Sequence, residues 1–169
     1  MRITPQIALI GTAIAAPLAL GVPAQGQMIT HKDLSAAMAL SIAETAMATC
    51  TASGYHVSVA VLGRNAEVIA QVRGDGANPH TFENSFRKAY TARTFRIPSG
   101  EIAKRYKDDP SIFQVHLANV IPAQGGLPIK VGEDVVGSVG VSGAPGGDKD
   151  EVCAQAGVES IKDDIAHAR

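Results

Sequence analysis

The residues best able to take part in chemistry concentrate between positions 74 and 106, in GDGANPHTFENSFRKAYTARTFRIPSGEIAKRY. Within this stretch, His80 follows Asn78 and Pro79. Either Pro79 is the first residue of a helix capped by Asn78, or Thr81 is the cap. In both cases the imidazole lies near a helix N-terminus, where the partial positive charge disfavours protonation. A neutral imidazole can bind a metal ion, so His80 is a candidate metal ligand. A plain surface histidine at a loop–helix junction is the alternative.

Aromatic residues follow His80 at helical spacing. Phe82 and Phe86 are four residues apart and share one helix face. Basic residues are spread around the same helix and are not confined to one solvated face: Arg87, Lys88, Arg93 and Arg96. Some of these charges should therefore lie beside apolar surface and pair with carboxylates of a ligand or a neighbouring subunit.

An apolar, positively edged surface with a histidine suits a haem, which has an apolar macrocycle, two propionates and an iron that needs an axial donor. It would suit many other small anions equally well. For haem, we predict that His80 is the axial ligand, that Phe82 and Phe86 contact the ring, and that Arg87 and Lys88 pair with the propionates. His116 and Tyr106 are the second and third candidate ligands.

Other chemistry has little support in the sequence. No two histidines have chelating helical spacing, and neither HExxH nor a GxSxG elbow is present. For an enzyme, the weak acid–base candidates are His80, Glu83 and His116, and no catalytic set can be assigned. The near balance of 15 Lys plus Arg against 16 Asp plus Glu argues against nucleic acid as the main partner.

The elements that must position these residues read as α-β-β-α-α-β-β-α, which predicts an α+β fold with an antiparallel sheet and helices packed on it. A first helix starts near Thr30, as its cap, with Asp33 in the first turn, and Gly54 ends it. Two hairpins follow, one at residues 55–74 and one turning near residues 132–134, with the His80 helix between them. Ser99 is predicted to cap a shorter helix, which follows Pro98.

The last helix is predicted to run from about Lys149 to the end of the chain. Asp148 and Glu151 stand at the spacing of a capping box at its start. The first and last helices should pack side by side, where Cys50 and Cys153 could meet. The two cysteines form either a disulfide or a pair of buried thiols.

The N-terminus has the pattern of an export signal. Arg2 is followed by an uncharged apolar run at residues 7–20, and VPA at residues 22–24 supplies small residues before a cleavage point. We therefore predict a signal peptide at residues 1–24, a single domain at residues 25–169, and a periplasmic or secreted protein without stable membrane insertion after cleavage.

Three blocks carry a family resemblance: YHVSVAVLGRNAEVIAQVRGDGA, RKAYTARTFRIPSGEIA and GGLPIKVGEDVVGSVGVSGAPGGDKDEVCAQAG. They resemble the GlcG/HbpS-type family, also called the haem-degrading domain or DUF336 family, over nearly all of the chain after the leader. The resemblance implies a profilin-like α+β fold, a homo-oligomer, haem held at the surface or between subunits, and a role in haem or iron handling or redox sensing.

The ligand residue is not implied by the resemblance, so His80 is an inference from this sequence alone. The expectation is an exported, oligomeric protein that binds haem b non-covalently. Two alternatives stay open: a binding protein for a small organic acid or aromatic metabolite, and a small-molecule enzyme on the same fold.

Overall fold

A computed structural model describes residues 26–167, so the predicted signal peptide at residues 1–24 lies outside the described residues. All the elements lie in the compact unit that begins at His31. They are α1 (Ala36–Ala52), β1 (Ser58–Leu62), β2 (Val68–Arg73), α2 (Pro79–Phe95), α3 (Ser99–Asp108), a 3-10 turn (Phe113–His116), β3 (Gly126–Val131), β4 (Asp134–Ser142), α4 (Gly147–Glu159) and α5 (Lys162–His167).

The four strands form one antiparallel sheet in the order β2-β1-β4-β3. Each hairpin pairs neighbouring strands, and β1 pairs with β4 in the centre, where Val59 lies opposite Val141. This arrangement confirms the predicted α+β class and the predicted order of elements, to which the structure adds α5. No helix within residues 26–167 is long and apolar enough to cross a membrane.

One face of the sheet is covered by α1 and α4. The fully buried side chains of this layer are aliphatic and include Ile42, Val59, Val139 and Ile129. Close contact between the two helices needs small residues: a Cβ added at Gly157 would meet the backbone of Ile42. A disulfide joins Cys50 on α1 to Cys153 on α4, with Cα atoms 5.6 Å apart. Of the two alternatives that the sequence left open, a disulfide or a pair of buried thiols, the structure has the disulfide.

The other face of the sheet is covered by α2. Ala89 packs on Ala60 and Leu62, and strand β4 offers Gly140, where an added Cβ would overlap the backbone of α2 at Ser85. The helix therefore lies close enough to the sheet for side chain–backbone bonds, such as that from Ser138 Oγ to Ala89 O at 2.8 Å. This close contact fixes the orientation of α2, on which the candidate site depends.

The predicted start of the first helix is wrong. Helix α1 begins at Ala36 with Ser35 as its cap, whose Oγ accepts the Met38 N–H at 3.2 Å. Thr30 and Asp33 lie before the helix, and the Asp33 carboxylate accepts a bond from Arg64 Nε at 3.2 Å. A tertiary ion pair here replaces the predicted interaction with the helix dipole.

The predicted start and extent of the last helix are also wrong. Gly146 occupies the N-cap of α4 with no side-chain cap, so the Asp148–Glu151 capping box is not formed. The helix ends at Glu159, where Ser160 Oγ donates to Gly157 O at 2.8 Å, and α5 follows as a separate short helix.

At the start of α3, Pro98 is the cap. Ser99 is the first helical residue, and its Oγ accepts the Gly126 N–H at 2.8 Å. The predicted capping role of Ser99 is therefore replaced by a bond to β3.

Candidate functional site

The candidate site is built on α2, whose start matches one of the two sequence alternatives. Pro79 is the first helical residue and Asn78 is the cap, although the Asn78 side chain makes no capping bond. Instead, Thr81 Oγ1 donates to Asn78 O at 2.7 Å and lies 2.8 Å from the Ser58 hydroxyl on β1. The first turn of α2 is thereby tied to the sheet.

Two flanks of α2 border its buried face. The aromatic flank comprises Phe82, Phe86, Tyr90 and Arg93. The loop flank comprises His80, Arg87 and Thr91, and faces the segment that precedes β3.

His80 and Phe82 lie on different flanks of α2. At 3.6 residues per turn they are separated by roughly 200° around the helix. Both are exposed, and Phe82 retains 42% of its surface. The structure therefore does not bring His80 together with Phe82 and Phe86 into one recess.

Lys88 belongs to neither flank, because it points into the protein. Its side chain is 5% exposed, and Nζ donates to Asp150 Oδ2 at 2.7 Å and to Val141 O at 3.1 Å. The other carboxylate oxygen of Asp150 accepts the Ala144 N–H at 2.9 Å. The predicted pairing of Lys88 with a surface propionate is incompatible with this placement, and Lys88 instead braces α2 against β4 and α4.

Burial raises the pKa of the Asp150 carboxyl, and the adjacent Lys88 ammonium opposes that rise. The pair is 2.7 Å apart in a region from which water is almost excluded, so each charge depends on the other. This is a structural ion pair with no open side on which a ligand could bind.

The loop flank of α2 makes hydrogen bonds to the segment that precedes β3. Arg87 Nη2 donates to Val120 O at 2.9 Å, and its Nη1 lies 3.7 Å from Glu83. Thr91 Oγ1 accepts the Ile121 N–H at 2.9 Å. Arg87 is therefore partly engaged in fixing this segment, although its side chain remains partly exposed.

A crevice of about 290 Å³ opens where this segment meets the end of α2 and the face of α3. We call it the α2–α3 crevice, and its lining residues are Phe95, Ile102, Arg105, Ile112 and Gln114. Three of these five side chains are apolar and Arg105 supplies a positive charge. Apolar walls with one guanidinium can accept a planar apolar molecule that carries a carboxylate.

Two of the predicted ligands lie near this crevice along the chain. Tyr106 is one turn after Ile102 on α3, and His116 ends the 3-10 turn that follows Ile112. The same segment exposes Phe113 and Leu117, at 63% and 46% of their surfaces. His116 therefore has exposed apolar residues three positions before it and one position after it in the chain.

The sequence predicted a long irregular segment at residues 108–126, with His116 as a candidate ligand in it, but it did not predict the crevice. A signal was present in GEIAKRYK, where Ile102 and Tyr106 lie one helical turn apart among charged residues. In residues 26–167 no group of three or more His, Cys, Asp or Glu is placed to hold a metal ion. Haem iron needs only one axial protein donor, so a lone histidine fits that group.

Comparison with known proteins decides the family. The model of the family described as "Haem degrading protein HbpS-like" matches residues 34–159. The chain belongs to the HbpS-like family. This membership confirms the resemblance carried by the three sequence blocks and places the protein in a haem-related group.

Solved structures support the same assignment. A crystal structure of a double mutant of HbpS from Streptomyces reticuli is 35% identical, with a TM-score of 0.75 over 85% of this HbpS-like chain and 97% of that chain. The crystal structure named PduOC:Heme Complex has a TM-score of 0.72 over 78% of this chain and 96% of that chain, at 18% identity, and so supports the fold alone.

A curated relative is known only by its genomic position. It is an uncharacterized 15.0 kDa protein of Citrobacter freundii, from the dhaT-dhaS intergenic region. It is 28% identical over 113 residues, which cover 65% of this HbpS-like chain and 80% of that protein.

Proposed function

We propose that this protein binds haem b non-covalently and acts in haem or iron handling or redox sensing. The observation that carries the proposal is the match of the HbpS-like family model to residues 34–159. A structural neighbour of the same fold was solved as a heme complex, so a protein of this fold can hold a haem.

In this proposal the porphyrin binds at the α2–α3 crevice. Its walls are apolar, Arg105 can pair with a propionate, and the exposed Phe113 and Leu117 extend the apolar surface past the opening. At about 290 Å³ the crevice lies at the lower limit of ordinary ligand pockets, about 300–1,000 Å³. It would cover only part of a haem, so the proposal includes a second copy of the chain that covers the rest.

His116 is the proposed axial ligand, in preference to His80. Both imidazoles are exposed, but His116 stands between Phe113 and Leu117 in the chain, whereas His80 shares the loop flank with the charged Arg87. An iron porphyrin gains most of its affinity from apolar area that is buried on binding, and the exposed Phe113 and Leu117 supply such area near His116 in the chain. Tyr106 is the alternative donor at the same crevice.

The export of the protein is a further part of the proposal. The Cys50–Cys153 bond supports it, because disulfides persist in oxidising compartments. The predicted signal peptide at residues 1–24 agrees with this location. Secretion of a tagged full-length chain into the periplasm or medium, with loss of the first 24 residues by mass spectrometry, would test it.

The haem proposal is tested by titrating hemin into the purified protein and recording the Soret band. We expect a shifted Soret band for the wild type, a changed spectrum for His116→Ala, and an unchanged one for His80→Ala, which is the matched control. If His80→Ala alone changes the spectrum, the ligand predicted from the sequence is right and the crevice assignment is wrong. Absence of any Soret shift in the wild type refutes haem binding.

A further inference from the structure

The guanidinium of Arg93, on the aromatic flank of α2, has a buried donor without an acceptor. Its Nε is shielded from solvent and makes no hydrogen bond to any residue that the structure describes. Buried donors in native proteins nearly always have a partner, because an unmade bond costs the full desolvation of the group. An acceptor from outside the chain would satisfy it.

The neighbouring acids do not provide that acceptor. Arg64, in the β1–β2 turn, binds Asp134 through Nη1 and Nη2 at 2.9 and 2.7 Å, and binds Asp33 through Nε at 3.2 Å. Glu67 accepts a backbone N–H within its own turn at 2.8 Å. These three carboxylates act on Arg93 at most through their charge.

Arg93 lies among charges of both signs. Burial lowers the pKa of its guanidinium most, and the charges of Arg96 and Arg64 lower it further, while Asp134 and Glu67 raise it by less. A guanidinium keeps its positive charge in proteins, so a carboxylate is the acceptor that suits its unpaired Nε best.

Apolar surface lies next to this guanidinium. Tyr90 and Phe86 precede Arg93 by three and seven residues on the aromatic flank, and their ring centroids are 5.9 Å apart. Helical side chains lean toward the helix N-terminus, so the Arg93 side chain extends over the turn that carries Tyr90. Both rings are only partly buried.

We propose that the aromatic flank binds a small aromatic carboxylate, with its carboxylate on the Arg93 guanidinium and its ring on Tyr90 and Phe86. A guanidinium presents a planar fork of N–H donors that matches a carboxylate, and aromatic rings stack or meet edge to face. This site is separate from the haem seat, because the α2–α3 crevice lies with the loop flank. It does not depend on haem binding.

The test follows the Nε–H resonances of arginine by ¹⁵N–¹H NMR during titration with benzoate, at constant ionic strength. Acetate and chloride are titrated in parallel. Arg93→Lys assigns the Arg93 resonance and removes Nε while keeping the charge. Arg73→Lys, at an exposed arginine that ends β2, is the matched control.

We expect the Arg93 resonance to move with benzoate, with a lower Kd than for acetate, and to stay unmoved with chloride. Arg93→Lys should weaken benzoate binding by about tenfold or more, as expected for loss of a charged hydrogen bond, and Arg73→Lys should leave it unchanged. No shift with either acid overturns the proposal. So does a shift that follows protein concentration alone, because the acceptor would then be a side chain of a second copy.

Discussion

Replacing Cys50 and Cys153 together by alanine removes the covalent link between α1 and α4. The two residues are 103 positions apart, so the bond closes most of the folded chain into one loop. In the chain-entropy model, closing a loop of this size lowers the conformational entropy of the unfolded state and so stabilises the fold by about 4.7 kcal/mol. Since domains of this size have about 5–15 kcal/mol of unfolding free energy in total, the variant should lose roughly 30% of it or more.

Comparing the reduced wild type with the alanine variant separates the effect of the disulfide bond from the effect of packing, because both sulfurs are buried. Cys50 and Cys153 are 0% and 2% exposed in the layer of α1, α4 and the sheet. Reduced wild-type protein keeps both sulfur atoms in place and loses only the bond. The alanine variant also loses their volume, which adds a smaller cavity penalty.

Urea unfolding followed by circular dichroism measures both contributions. The free energy of unfolding should fall in the order oxidised wild type, reduced wild type, Cys50→Ala/Cys153→Ala. The denaturant slope should rise once the bond is lost, because the unfolded chain exposes more surface. If reduction lowers the unfolding free energy by less than about 1 kcal/mol, constraint of the unfolded state is not how this bond stabilises the fold.

Three further predictions concern charges and packing. Lys88→Met should lower the unfolding free energy by about 3–5 kcal/mol, because it leaves the buried Asp150 carboxylate without its partner. In the same urea assay, the double variant Lys88→Met/Asp150→Leu should lose less than Lys88→Met alone, because it removes both charges. Gly140→Ala should destabilise by about 1–3 kcal/mol, measured by urea unfolding, because the new Cβ overlaps the backbone of α2; an unchanged midpoint would contradict the close contact. Hydrogen bonds from Arg64 lower the pKa of the Asp134 carboxyl below its ordinary value. The stabilisation is therefore present above the ordinary pKa and lost as pH falls through the lowered pKa. Asp134→Asn should flatten the acid limb of stability against pH, and an unaltered limb would show that the pair contributes nothing.

The fold was predictable from sequence because its signals are local. Each hairpin has a turn that contains a glycine, and the strands on either side of that turn are rich in β-branched and apolar residues. Helix boundaries were less predictable, because a cap depends on what its side chain can reach. Asp33 could have stabilised the start of a helix, but its carboxylate instead binds Arg64, which lies 31 positions further along the chain.

The candidate site was predictable only in part. The separation of His80 from Phe82 follows from 3.6 residues per turn and needed no structure. The burial of Lys88 could not be foreseen, because its partner Asp150 is 62 positions away and lysine is almost always at the surface. That Arg93 Nε has no acceptor among the described residues could not be foreseen either, because it depends on tertiary contacts. Arg64 binds both Asp33 and Asp134, which lie far from it in the sequence.

The residues that carry the family resemblance mainly hold the fold together. Lys88, in RKAYTARTFRIPSGEIA, binds Asp150 in the third block, and Gly126 and Gly140 in that block let β3 and β4 approach α2. Lys88 and these glycines therefore mark the architecture, and a relative can keep them while its ligand changes. Both proposed ligands would bind beside α2, one at the α2–α3 crevice with His116 as the proposed axial donor and the other at Arg93 on the aromatic flank. Because neither residue takes part in the Lys88 brace, each can be replaced and its ligand tested without removing the contacts that position the helix.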